Sequence, residues 1–244
     1  MLNRPNKKSI PAFLSIDVEP DAFQFSSNTL GEWEGYRLMA QFIASFRSRL
    51  QENFVSSPRV GWYFRTDPQI GEVFGTSSFA MTHAPEVIES ARRADDYFGI
   101  HPHPLRWSPR HQKWIHEFED ARWLAACTKY SMEAFSDWAG EQVSRTRYGA
   151  GFLTNEIIDT FDKGGVRAEL TLEPVSHWGV QRDTVPTSID SSPMVGRYTE
   201  CGGAPRRAYR PAKHDFRKPD DTRDNGIVMI PLNSINLADL LTRW

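Results

Sequence analysis

The 244-residue chain holds only two cysteines, Cys127 and Cys201, and no C-x-x-C pair. A disulfide framework and a cysteine-built zinc site are therefore both excluded. Charge of one sign is missing too: 29 Lys and Arg face 31 Asp and Glu, for a net charge of −2. That balance removes the bulk attraction on which nucleic-acid and anionic-membrane binders rely, so neither partner is expected. Arg and aromatic residues do interleave from Tyr198 to Arg217, but acids stand among them. Long apolar runs are absent. The run Ala12 to Ile16 is too short for a signal-peptide core or a membrane span, and Met1 to Lys8 is polar and basic. No membrane insertion and a cytoplasmic location are the resulting expectations. No internal repeat or low-complexity tract occurs.

What is present suits one globular domain over residues 1–244, since 39% of the residues are hydrophobic and can form a substantial core. Short apolar runs alternate with helical spacing. Strands are expected at Ala12–Pro20, Val60–Arg65, Tyr97–His101, Val143–Arg147, Arg167–Leu172 and Gly226–Leu232. Helices are expected at Tyr36–Leu50, Ala84–Ala94, Thr154–Asp162 and Asn236–Leu241, and a long one over Pro109–Gly140. Residues 174–225, rich in Pro, Gly, Arg and Asp, read as an irregular covering segment. The alternation predicts an α/β fold with a mainly parallel sheet or barrel.

The first strand ends in two acids. Side chains two apart on a strand share a face, so Asp17 and Glu19 point the same way, and Pro20 ends the ladder. The third strand ends in Gly99-Ile100-His101-Pro102-His103-Pro104, where two imidazoles share a face in the same manner. A carboxylate and two imidazoles converging at one strand-end mouth would leave an open coordination position. That is the pattern of a catalytic divalent-metal site, zinc foremost, with cobalt, nickel or manganese as alternatives. Arg65 and Asp67 close the second strand at the same mouth, where they either bind substrate or form a structural ion pair. Tyr148, Trp107 and Trp178 are candidates to stack on a sugar or simply to pack. His83, His111 and His116 fall in helical or loop contexts and carry no assigned role.

In order and spacing, Asp17-Val18-Glu19, the Gly99–Pro104 segment and Arg147-Tyr148-Gly149 resemble the polysaccharide deacetylase family, carbohydrate esterase family four. Trp62-Tyr63-Phe64-Arg65 and the helix from Thr154 leading to Gly164-Gly165 are similar as well. The likeness runs from about Phe13 to Pro174, with a return at Ile227–Leu232.

The resemblance implies a distorted (β/α)7 barrel and metal-dependent removal of N-acetyl groups from a glycan or glycan precursor. It implies Asp17 as general base, Glu19, His101 and His103 as metal ligands, and Arg147 as the group that orients the base. His103 departs from the family's H-x-x-x-H spacing. A second departure concerns the leaving-group acid. The family carries a histidine after its last strand, where this chain has Ile230-Pro231-Leu232-Asn233-Ser234. His177 or His214 could substitute from the covering segment. Without a substitute, the chain would be a weakly active or inactive glycan-binding relative. Hydrolysis of a small amide is a further alternative. A cytoplasmic enzyme of this kind would act on a sugar intermediate, as in surface-polysaccharide assembly.

Overall fold

In a computed structural model of the chain, the described residues are 14–22, 24–25, 30–52, 58–174, 194–196 and 201–232. Ala12 and Phe13 of the expected first strand, His177, Trp178, Asn233, Ser234 and the helix expected at 236–241 lie outside them.

Strand β1 (Leu14–Val18) buries Ile16 and Val18 on one face and leaves Ser15 and Asp17 half-buried on the other. It runs parallel to β2 (Val60–Phe64), whose five residues are all buried. Burial on both faces marks an inner strand of a parallel sheet. Helix α1 (Glu34–Gln51) connects the two and lays Tyr36 edge-on against Trp62 and Phe64, at ring separations of 6.1 and 6.0 Å. Full burial of Phe64, to which Tyr36 adds one side, contributes roughly 1.5–3 kcal/mol. Helices α2 (Pro68–Phe74), α3 (Phe79–His83) and α4 (Pro85–Arg93) lead to β3 (Tyr97–Ile100), parallel to β2.

The next stretch departs from expectation. The apolar spacing of Trp114, Phe118, Trp123 and Leu124 predicts one helix over Pro109–Gly140. The structure instead folds β4 (Leu105–Ser108) and β5 (Lys113–Glu117) into an antiparallel hairpin, and only then starts α5 (Ala121–Ala139). Two local features decide this. Gln112 turns the hairpin with a left-handed φ of 49°. Asp120 caps the helix, accepting from the backbone N–H groups of Arg122 and Trp123 at 3.0 and 3.1 Å. Gly140 closes α5 with φ 72°, as expected of a glycine past a helix end.

Beyond α5, β6 (Arg145–Thr146) and β7 (Ala168–Glu169) flank α6 (Asn155–Lys163), which Thr154 caps by accepting from Ile157 N–H at 3.2 Å. The described part of the covering segment contributes β8 (Met194–Val195), parallel to β5, and the antiparallel pair β9 (Pro211–Ala212) and β10 (Asp215–Pro219). Strand β11 (Val228–Met229) ends the described chain beside β7. The central sheet therefore has six strands in the order β1-β2-β3-β6-β7-β11, and every pairing is parallel. Its edge strands β1 and β11 do not pair with each other among the described residues, so this parallel sheet of the α/β fold does not close there.

Register is what matters for the site. Val18 lies opposite Phe64, Phe64 opposite Ile100, and Ile100 opposite Thr146. Four strands thus reach their C-terminal ends level with one another, and the residues one step on stand in a row.

Candidate metal centre

That row is Glu19, Arg65, His101 and Arg147. Backbone hydrogen bonds carry the alignment one residue past the strands: Arg65 N–H donates to Val18 O at 3.1 Å, His101 N–H to Phe64 O at 2.7 Å, and Arg147 N–H to Ile100 O at 3.0 Å. The C-terminal edge of a parallel sheet is where α/β folds gather functional side chains. Gly99 lets the next strand and Tyr63 pack closely beneath the row. A Cβ there would lie 2.6 Å from the Arg145 carbonyl oxygen and 2.8 Å from ring carbons of Tyr63.

Glu19, His101 and His103 meet at the mouth. The Nε2 atoms of the two imidazoles are 3.1 Å apart. Glu19 Oε1 is 3.5 Å from His101 Nε2, and Glu19 Oε2 is 3.1 Å from His103 Nε2. One ligand atom from each of the three lies within 4.8 Å of the others. Ligands bound tetrahedrally at about 2.0–2.2 Å stand roughly 3.3–3.6 Å from one another. The spacing here is close to that.

The chemistry of the donors agrees. Apart from its approach to His103 Nε2, Glu19 Oε2 is buried with no hydrogen-bond partner among the described residues. A carbonyl can only accept, so the 2.6 Å contact between His101 Nδ1 and the Arg147 carbonyl places the proton on Nδ1 and turns Nε2 toward Glu19. Burial works against the charge on Glu19, but the His103 and His101 imidazoles outweigh it and hold the carboxyl well below its usual range. Burial, with Arg65 adding to it, pushes His103 down to about 4. A neutral imidazole is the form that binds a cation. For His101, burial opposes protonation, but Asp17 and Glu19 raise its pKa. A Glu–His–His group of this geometry could hold a metal ion.

Beside the three donors lies Asp17. Its Oδ2 is 3.1 Å from Arg147 Nε, and its Oδ1 is 3.7 Å from His101 Nδ1. Oδ1 is buried and has no hydrogen-bond partner among the described residues. Arg147 is itself held from the far side by Glu173 Oε1 at 3.4 Å. The five residues singled out as base, orienter and ligands thus fall into one cluster.

Arg65, Asp67 and Tyr148 are placed differently. All three are buried. Arg65 and Asp67 form a bidentate pair, with Nε to Oδ2 at 2.5 Å and Nη2 to Oδ1 at 2.8 Å. Gln69 Oε1 accepts from the same guanidinium at 2.7 Å, and Asp67 Oδ2 accepts from the backbone N–H of His103 at 3.1 Å. Of the two roles open to this pair in the sequence, the observed contacts are those of a structural ion pair, and it supports His103 from beneath. The Tyr148 ring packs against Phe152 and Phe161. Trp107, by contrast, is exposed and packs edge-on against Trp114. His214 is exposed, and its carbonyl accepts from Asn155 Nδ2 at 2.9 Å.

Two residues of the cluster escaped the sequence reading. Glu173 follows the expected strand Arg167–Leu172, so its place at a strand end was a usable signal. His116 lies against His103, at 3.2 Å from His116 Nε2 to His103 Nδ1. Burial, then the neighbouring His103, pushes its pKa down to about 3.

No protein-family model matches the chain, and no curated protein does. Solved structures do. The likeness is to polysaccharide deacetylases. A protein assigned as a polysaccharide deacetylase from Mycobacterium smegmatis shares 13% identity over 90% of this chain and 57% of its own, at a TM-score of 0.45. A mutant of a CE4-family pseudoenzyme with restored enzymatic activity shares 11% over 68% and 45%, at 0.38. IcaB from Ammonifex degensii shares 13% over 66% and 84%, at 0.34. The chain spans 57% and 45% of the first two. These overlaps are loose.

Proposed function

We propose that the chain is a metal-dependent hydrolase that removes N-acetyl groups from a glycan or glycan precursor. The observation that carries this reading is the meeting of Glu19, His101 and His103 donor atoms next to the Asp17–Arg147 pair. Glu19 Oε2 and the two Nε2 atoms would hold a divalent cation, zinc foremost. When bound, such an ion makes a water more acidic and polarises the acetyl carbonyl.

The chain's own residues do the rest. Asp17 Oδ1, which has no hydrogen-bond partner among the described residues, accepts the proton of the attacking water. Arg147 Nε holds Oδ2 and so aims Oδ1. The water oxygen forms the new bond to the carbonyl carbon, the C–N bond breaks, and the proton held by Asp17 passes to the departing amine. This route needs no histidine after the last strand. The whole chain acts as one catalytic domain on a distorted α/β barrel, with residues 174–225 shaping a carbohydrate groove. Among the described residues no helix is long and apolar enough to cross a membrane. A cytoplasmic sugar intermediate is the substrate class proposed.

Metal content of protein purified without chelators, and acetate release from N-acetylglucosamine oligomers, test the reading together. One equivalent of metal is expected. Asp17→Asn should keep the metal and lose about 10²–10⁴-fold in turnover. A metal-free wild type, or full activity in the Glu19→Ala, His101→Ala double variant, would refute it. A second reading, a relative that binds glycan without turnover, is favoured by one observation: Ile230-Pro231-Leu232 carries no histidine. Glycan binding without acetate release would support it. Turnover of small amides in preference to glycans would instead make the substrate an amide.

A further inference from the structure

A metal-binding imidazole donates its other ring N–H to a fixed acceptor, which sets the tautomer and the direction of the binding nitrogen. His101 meets this requirement through the Arg147 carbonyl at 2.6 Å. The corresponding atom of His103 is Nδ1. It faces Nε2 of His116 at 3.2 Å.

The fold goes to some length to bring these rings together. His116 stands thirteen residues further on, on the returning strand of the β4–β5 hairpin. Leu105 pairs with His116, and Glu117 N–H donates to Pro104 O at 2.9 Å, so the hairpin closes directly on the His103 segment. The His116 ring is buried and stacked on Phe118 at 5.5 Å, and Phe118 stacks in turn on Phe152 at 4.3 Å. It is nearly closed to solvent.

We propose that His116 is the positioning residue for His103: its Nε2 accepts the His103 Nδ1–H and thereby points His103 Nε2 at Glu19. This rests on the metal reading above. Two protons follow from it. With His103 Nε2 given to a cation, the His103 proton sits on Nδ1. With His116 Nε2 accepting, the His116 proton sits on its own Nδ1. Both rings are neutral, and the order of donor and acceptor is fixed. His116 is therefore a positioning residue, distinct from the three ligands.

The test is a competitive zinc titration against a chelating dye, with the cobalt absorption spectrum as a second readout. His116→Leu should fold, as judged by thermal unfolding of the metal-free protein, and should bind zinc about 10–100-fold more weakly. Its cobalt spectrum should change. His116→Gln, whose side-chain oxygen can stand near the position of Nε2, should recover affinity to within about threefold, which a role in packing alone would not restore. Should the Leu variant fail to fold, nitrogen-15 NMR of the zinc-loaded wild type decides: Nδ1–H is expected on both His103 and His116. Wild-type affinity in a folded His116→Leu variant, no recovery by Gln, or a proton on His116 Nε2 would each overturn the positioning role while leaving the metal reading in place. A wild type that binds no zinc would overturn both.

Discussion

A Cβ on Gly149 would lie 2.1 Å from Cδ2 and 2.2 Å from Nε2 of His103. The glycine is therefore the floor on which this imidazole rests, and the backbone holds it there by donating Gly149 N–H to Pro102 O at 2.9 Å. His103 cannot yield freely, because His116 fixes its other edge. Gly149→Ala is expected to turn the ring away from Glu19. Overpacking of this kind costs about 1–3 kcal/mol. Zinc affinity should fall at least about tenfold, in line with disturbed support of a ligand. Zinc titration and urea unfolding check this; unchanged affinity would show that the ring tolerates the methyl group.

Arg147 joins Asp17 to Glu173 through different atoms, Nε at 3.1 Å and Nη2 at 3.4 Å. A lysine carries the charge as a single point and cannot span both carboxylates with fixed direction. Arg147→Lys should therefore keep the metal and lose turnover, by about 10-fold or more, because Asp17 is no longer aimed. Acetate release measured beside metal content separates this from loss of the site. Equal turnover in the lysine variant would mean that charge alone suffices.

The parts of the site legible in the sequence are those set by strand geometry. Asp17 with Glu19, and His101 with His103, each share a face because side chains alternate along extended chain. Their meeting depends on level strand ends, which the sequence does not encode in any local pattern. His116 was illegible for a related reason. Its partner is across a hairpin, and the apolar spacing around it imitates a helix. The alternation in Lys113-Trp114-Ile115-His116-Glu117 competes with that spacing, and the Gln112 turn and the Asp120 cap decide between them. Arg65 and Asp67 were recognisable as a charged pair at a strand end. Their burial was not, because it comes from packing on all sides by segments distant in the chain.

The Arg65–Asp67 pair makes a stability prediction. Both side chains are fully buried, and they hold each other bidentately. Removing one partner strands the other charge, at a cost of about 3–5 kcal/mol. Asp67→Ala should cost this much and also release the His103 backbone N–H that Asp67 now accepts. The Arg65→Leu, Asp67→Leu double variant should be less destabilised than either single change, since no lone charge remains. Chemical denaturation of the wild type, the Arg65→Leu and Asp67→Leu single variants and the double variant completes the cycle. Additive losses would show that the two charges are not coupled.

Glu169 supplies a pH dependence that is independent of the metal donors. It is fully buried on β7, where its Oε1 accepts from Thr171 N–H at 2.8 Å and its Oε2 has no partner among the described residues. Burial pushes its pKa up from 4.5 to about 7, although the Thr171 hydrogen bonds act in the other direction. The folded protein therefore holds this proton more tightly than the unfolded chain. Below pH 4.5 both states are protonated and the group has no effect. As pH rises from 4.5 to about 7 the unfolded chain releases the proton first, and stability falls. The loss is on the order of 3 kcal/mol at most. Glu169→Gln removes the titration and keeps a polar side chain of the same size. Its stability relative to wild type should climb across that interval and level off above pH 7. Urea unfolding of both proteins at pH 4.5, 6 and 7.5 measures the difference, and a difference that does not change with pH would mean that Glu169 is ionised in the folded state throughout.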